Sequence, residues 1–95
     1  MQLADKLDDI ALLLEQVGDA HWATWLRQDA VTLRNGDLNG AKHFLDAFGG
    51  MGSINDRYGF SAPKKKEAEL SDDQKISRRL DDAWSIANAL VRRRG

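Results

Sequence analysis

Two histidines, one carboxylate inside an apolar arc and one run of glycines are the residues of this chain whose types could do chemistry. His21 and His43 could serve as general bases or metal ligands. Neither sits in an HExxH or comparable spacing. His43 falls opposite the apolar side of its helix and is expected in solvent. His21 is expected to rest on indole at the rim of the Trp22 and Trp25 face. The chain has no cysteine, which removes thiol nucleophiles, disulfides and Cys-based metal sites. It has no G-x-S-x-G elbow, no Walker loop and no dinucleotide fingerprint. Acid–base catalysis needs titratable groups positioned within hydrogen-bond reach of one another. The spacing supplies no such set, so a non-enzyme with no cofactor and no metal is expected.

The glycine run, GGMGSIND over residues 49–56, is the most distinctive stretch. Two readings stand open. Successive N–H groups from Gly49, Gly50, Gly52 and Ser53 could form a nest for a small anion, with Arg57 as the nearest cation. Alternatively, Gly49 and Gly50 end a helix, Met51 and Ile54 plug the core, and Ser53, Asn55 and Asp56 make turn bonds. Asp29 is the other oddity. It lies between Trp25 and Leu33, within the apolar arc of its helix. A buried carboxylate must be hydrogen-bonded or it is costly. Either Asp29 accepts N–H bonds from the glycine loop and pins it, or the helix is rotated enough to leave Asp29 at the rim.

A third feature concerns recognition. Leu12 sits almost opposite the core side of its helix, among Asp5, Asp8, Asp9, Glu15, Gln16 and Asp19. One exposed leucine is ordinary. An apolar anchor inside an acidic rim also has the design of a docking surface for a basic partner.

Four helices must position these residues, placed at about 100° of rotation per position. The first runs from Gln2 to Val17, with Leu3, Leu7, Ile10, Leu14 and Val17 inward and Gly18 as its stop. The second runs from Asp19, its cap, to Asn35, with Trp22, Trp25, Leu26 and Leu33 on one face. The third spans Leu38 to Phe48, with Asp37 as cap and Ala41, Phe44 and Leu45 inward. Ile54, Tyr58 and Phe60 then alternate with polar residues, which suits a short extended piece. Residues 61–70 are apolar-poor and read as a mobile linker. Ser71 and Gln74 match a capping box opening the last helix, whose stripe is Ile76, Leu80, Ala83, Ala87 and Leu90. The expected fold is all-α: a small four-helix bundle with a Gly-rich loop between helices three and four, one domain over residues 1–95.

Composition bounds the rest. With 95 residues, 42% of them hydrophobic, the chain supports one modest core. The net charge of −1 conceals five acids against Lys6 alone in residues 1–20, and six cations against four acids in residues 71–95. The short clusters Lys64–Lys66 and Arg92–Arg94 offer non-specific phosphate contact without an aromatic platform. That balance argues against a dedicated nucleic-acid binder. No run reaches the roughly 18 apolar residues of a membrane span. MQLADKLDDIALLL does not read as a signal peptide, so a cytoplasmic location is expected. Exposed Trp or Phe would offer a homodimer face.

HWATWLRQD, the GD turn and HFLDAFGGMGSIND, within residues 21–56, resemble a family of small uncharacterised bacterial proteins, a domain of unknown function with a Trp-rich helix and an AFGGMGS-type loop. The resemblance covers the middle third of the chain and carries over no catalytic residue. Such proteins can occur near toxin-type gene clusters, which implies an immunity or antagonist role. The expectation is therefore a bacterial or phage-type, non-catalytic, protein-binding inhibitor. It would dock a basic partner through Asp5, Asp8, Asp9, Leu12, Glu15 and Asp19. A small-anion module using the glycine loop and a nucleic-acid accessory protein are the alternatives.

Overall fold

The computed structural model describes residues 2–48, 52–58 and 66–94, with the side chains of Asn55, Asp56, Glu67 and Arg94 outside the description. It is all-α, a small bundle of four helices as expected. These are α1 (Gln2–Gln16), α2 (Ala20–Arg34), α3 (Asn39–Leu45) and α5 (Asp72–Arg94), joined by a short added element, α4 (Ile54–Tyr58).

Apolar spacing accounts for the packing. Leu3, Leu7, Ile10 and Leu14 recur three or four positions apart and are fully buried on α1. They meet Trp22, Leu26, Ala30 and Leu33 of α2, Phe44 of α3, and Ile76, Leu80, Ala83 and Ala87 of α5 in one core. Trp25, Leu90 and Phe48 lie partly buried at its edge.

The corners are set by glycine. After α1, Gly18 takes φ +83°, its N–H reaches Glu15 O, and the Asp19 N–H reaches Leu14 O at 2.8 Å. Gly36 repeats the pattern after α2 at φ +82°, with bonds to Leu33 O and, from Asp37, to Thr32 O. Both are Schellman closures, which need a left-handed residue. Gly40 has a different task. A Cβ there would stand 2.8 Å from Asp29 O and 2.9 Å from the Leu33 side chain, so α3 lies against α2 only because position 40 has none.

The capping box of α5 forms in both directions. The Ser71 N–H donates to Gln74 Oε1 at 3.0 Å, and the Gln74 N–H to Ser71 Oγ at 3.2 Å. Three expectations change. The third helix is shorter than Leu38–Phe48, because the chain after Leu45 turns through bonds of the 3-10 type, Ala47 N to Phe44 O and Phe48 N to Leu45 O. Its start shifts by one residue, with Leu38 preceding it, while Asp37 Oδ1 accepts the N–H of Asn39, the first residue of the helix, at 2.9 Å. Residues 54–58, expected to be extended, are helical: Ile54 is fully buried and its N–H is held by Ala47 O at 2.9 Å. Of the expected linker, residues 61–65 lie outside the described ones. Glu67–Glu69 form a 3-10 turn and Leu70 is buried.

Candidate functional site

The surface where α1 meets α2 carries the residues expected to dock a partner. Leu12 is 51% exposed, as its position opposite the core stripe requires. The acids beside it are not open. Asp5 Oδ1 accepts from Arg34 at 2.7 Å, and Asp8 Oδ2 from the same guanidinium at 2.5 Å. Asp8 Oδ1 also lies 3.6 Å from Arg27, whose fork reaches Glu15 at 2.6 and 3.2 Å. Glu15, Arg27, Asp8, Arg34 and Asp5 thus form one continuous ladder. The arginines hold Asp5 and Glu15 below the ordinary carboxylate range, and the carboxylates hold both arginines above theirs. An unpaired acidic stripe is therefore corrected to one whose Asp5, Asp8 and Glu15 are ion-paired, three carboxylates to two guanidiniums. The stripe looked unpaired in sequence because its cations are supplied by the next helix. Asp9 lies apart, lining a small cleft with Lys6, Arg79 and Asp82.

Asp19, also expected in the docking rim, works inside the fold. Its Oδ1 accepts the Trp22 N–H as the α2 cap, and its Oδ2 accepts the Tyr58 hydroxyl at 2.7 Å. Arg57 Nε stands 3.6 Å from that carboxylate. The Arg57 guanidinium also lies 5.5 Å from the centre of the Tyr58 ring. Burial and the Asp19 bond push the Tyr58 hydroxyl up to about 12. The cation expected to serve the glycine loop is therefore held at Asp19. Within that loop Gly52 takes φ +77° and Ser53 is buried. Gly49, Gly50 and Met51 lie outside the described residues. Asn55 and Asp56 fall in α4 with their side chains outside the description.

Asp29 is buried at 2% exposure, so the rim alternative is corrected: α2 turns this carboxylate inward. The partner seen among the described residues is the His43 imidazole of α3, whose Nδ1 bonds Asp29 Oδ1; Gly49, Gly50 and Met51, part of the loop expected to be pinned by Asp29, lie outside the described residues. Asp29 Oδ2 is buried with no hydrogen-bond partner among the described residues. The His43 ring is exposed to solvent, as expected. It also lies nearly parallel on Trp25, with centroids 4.2 Å apart and planes 12° apart. The Trp25 Nε1–H donates to the His43 carbonyl at 3.2 Å. Trp22 and Trp25 adjoin at 5.2 Å, and His21 meets Trp22 edge-on at 4.7 Å. Burial raises the Asp29 carboxyl to about 6, against the opposing pull of His43 and with a further push from Asp46.

The position of His43 on its helix predicts only solvent exposure and names no partner. The available signal was Asp29 itself, since a carboxylate inside an apolar arc requires a donor, and an exposed histidine on the next helix is one. Among the described residues no cluster of three or more potential metal ligands occurs, and no helix is long and apolar enough to cross a membrane. Lys66, Arg92 and Arg93 are exposed, while Lys64 and Lys65 lie outside the described residues.

The family called Domain of unknown function (DUF6966) matches residues 15–64, from the end of α1 through α2, α3 and α4, and the chain belongs to it. No curated protein and no solved structure matches the chain.

Proposed function

We propose that this family member is a non-catalytic protein-binding protein, docking its partner on the face shared by α1 and α2. One observation carries the reading. Among the described residues the exposed large hydrophobics are Leu12 and Val31, at 51% and 58%. Each stands in a row of the ion-pair ladder. Leu12 follows Asp8 by four and precedes Glu15 by three; Val31 follows Arg27 by four and precedes Arg34 by three. Apolar contacts framed by charged side chains already fixed in place suit an interface, because a pre-ordered rim loses less side-chain entropy on association. A shallow depression bounded by Thr24, Arg27, Gln28, Val31 and Thr32 extends this face along α2.

The closed ladder changes the chemistry of the partner. Asp5, Asp8 and Glu15 of α1 are engaged by Arg27 and Arg34, so the partner is selected more by apolar complementarity and matched polar groups than by excess positive charge. The finer part of the proposal is that docking is inhibitory, in the manner of an immunity or antagonist protein; its support is the family resemblance of residues 21–56.

The test is quantitative capture of the partner by the full chain and by two surface variants, Leu12→Arg and Val31→Asp. Both positions are exposed, so circular dichroism is expected to be unchanged. Each variant is expected to lose at least about tenfold in affinity, as loss of an interface anchor does. Unaltered affinity in both variants would overturn this docking face.

A further inference from the structure

A carboxylate inside a helical core needs a proton of its own or a cation beside it. Asp29 has His43, delivered from α3, while its second oxygen is buried and unbonded among the described residues. Two further contacts make the imidazole part of the joint between the helices: the ring stacks on Trp25, and the Trp25 indole N–H holds the His43 carbonyl. The helix bearing it has only seven residues. A helix that short is held by its contacts rather than by its own turns. We propose that the Asp29–His43 pair is a proton-operated latch: the protonated imidazole closes on the buried carboxylate and against Trp25, and loss of that proton loosens α3 from α2.

The neighbouring charges leave His43 as the cation for Asp29. On α2 itself, Arg27 and Arg34 face α1, where Asp5, Asp8 and Glu15 occupy them. On α3, Lys42 is exposed, and Asp46 disfavours a negative charge at Asp29. Toward α5, Lys6 and Asp9 of α1 share their cleft with Arg79 and Asp82. His21 packs on Trp22 and lies 6.3 Å from the Trp25 ring centre. Burial raises the Asp29 carboxyl to about 6. The latch joins α2 to α3 and does not depend on the docking face of α1 and α2.

Nuclear magnetic resonance of the full chain between about pH 5 and about pH 8, the range in which imidazoles change charge, tests it. The Trp25 Nε1–H resonance is expected to move sigmoidally. Amide exchange across residues 39–45, corrected for its intrinsic pH dependence, is expected to quicken by about tenfold or more toward the alkaline end. His43→Gln alters an exposed side chain and is expected to fold, with only the protonation of Asp29 left to act on exchange across residues 39–45, which therefore changes less with pH than in the wild type. Asp29→Asn combined with His43→Gln removes both titrating groups and is expected to give a flat indole titration and pH-independent exchange, while His21→Gln keeps the wild-type behaviour. Wild-type exchange that ignores pH, or the full wild-type quickening surviving in His43→Gln, would overturn the latch. If the double variant does not fold, His43→Gln decides alone.

Discussion

Asp19 and Tyr58 are joined across thirty-nine residues of sequence, the tyrosine hydroxyl donating to the carboxylate at 2.7 Å. The same carboxylate caps α2 through the Trp22 N–H. One side chain therefore starts a helix and tethers α4 to it. Losing the cap in Asp19→Ala is expected to cost about 1–2 kcal/mol, and losing the hydroxyl in Tyr58→Phe about 1 kcal/mol. Because the two share a bond, the double variant is expected to cost less than the two single losses added together. Chemical denaturation of the three proteins checks this.

Tyr58 is the chain's only tyrosine, so its ionisation can be followed by phenolate absorbance without overlap. Its raised value, about 12 against an ordinary 10, means the folded state keeps the proton longer than the unfolded one. The stability this supplies is present below pH 10 and lost as pH rises from there toward 12. In denaturant the phenolate midpoint is expected to fall back to about 10. A midpoint of 10 in the native protein would contradict the bond to Asp19.

Asp29 and the ladder acids act in opposite senses on acid stability. Asp29 is raised from 3.8 to about 6, so its contribution is full below pH 4 and is lost as pH rises to 6. Asp5 and Glu15 are lowered, so theirs is present above their ordinary values and lost as pH falls through the lowered ones. Asp29→Asn is expected to flatten the stability change between about pH 4 and 6, a difference on the order of 2–3 kcal/mol at most. Thermal midpoints of both proteins at several pH values measure it.

Gly40→Ala places a methyl group 2.8 Å from backbone rather than from a flexible side-chain end. The α2–α3 contact must then open, at an expected cost of about 1–3 kcal/mol. Ala41, one position on and fully buried, identifies the same face as core. Urea denaturation of the two proteins checks the loss.

An exposed ladder is weakened by salt, whereas a carboxylate already engaged within its own chain offers little extra attraction to a partner. Arg27→Met is therefore expected to lower the thermal midpoint at low ionic strength and to matter little at high salt. It should also leave Glu15 open, with Asp8 still held by Arg34, and make partner binding more salt-dependent than in the wild type. Binding isotherms at two salt concentrations compare them.

What could be read from the residues followed periodicity and local chemistry. The stripe of α1, the Gly18 and Gly36 corners and the Ser71–Gln74 box depend on neighbours within a turn or two, and each was legible. The ladder was not. Asp5 and Arg34 are twenty-nine positions apart, and only the packing of α1 on α2 decides that they meet. Asp19 likewise read as a cap and as a rim acid at once, and the tether from Tyr58 could not be anticipated while residues 54–58 read as extended. For Asp29 the need for a partner was legible and its identity was not, since that depended on how closely α3 approaches at Gly40.

The two reversals after α1 and α2 use only residues 17–19 and 35–38. Chains whose helices meet through corners this tight make their early contacts between residues close in sequence, and that kind of topology reaches its native state quickly. The contacts between α1 and the final helix α5 are the ones that join the two ends of the sequence, so they contribute the greatest chain separation to that topology.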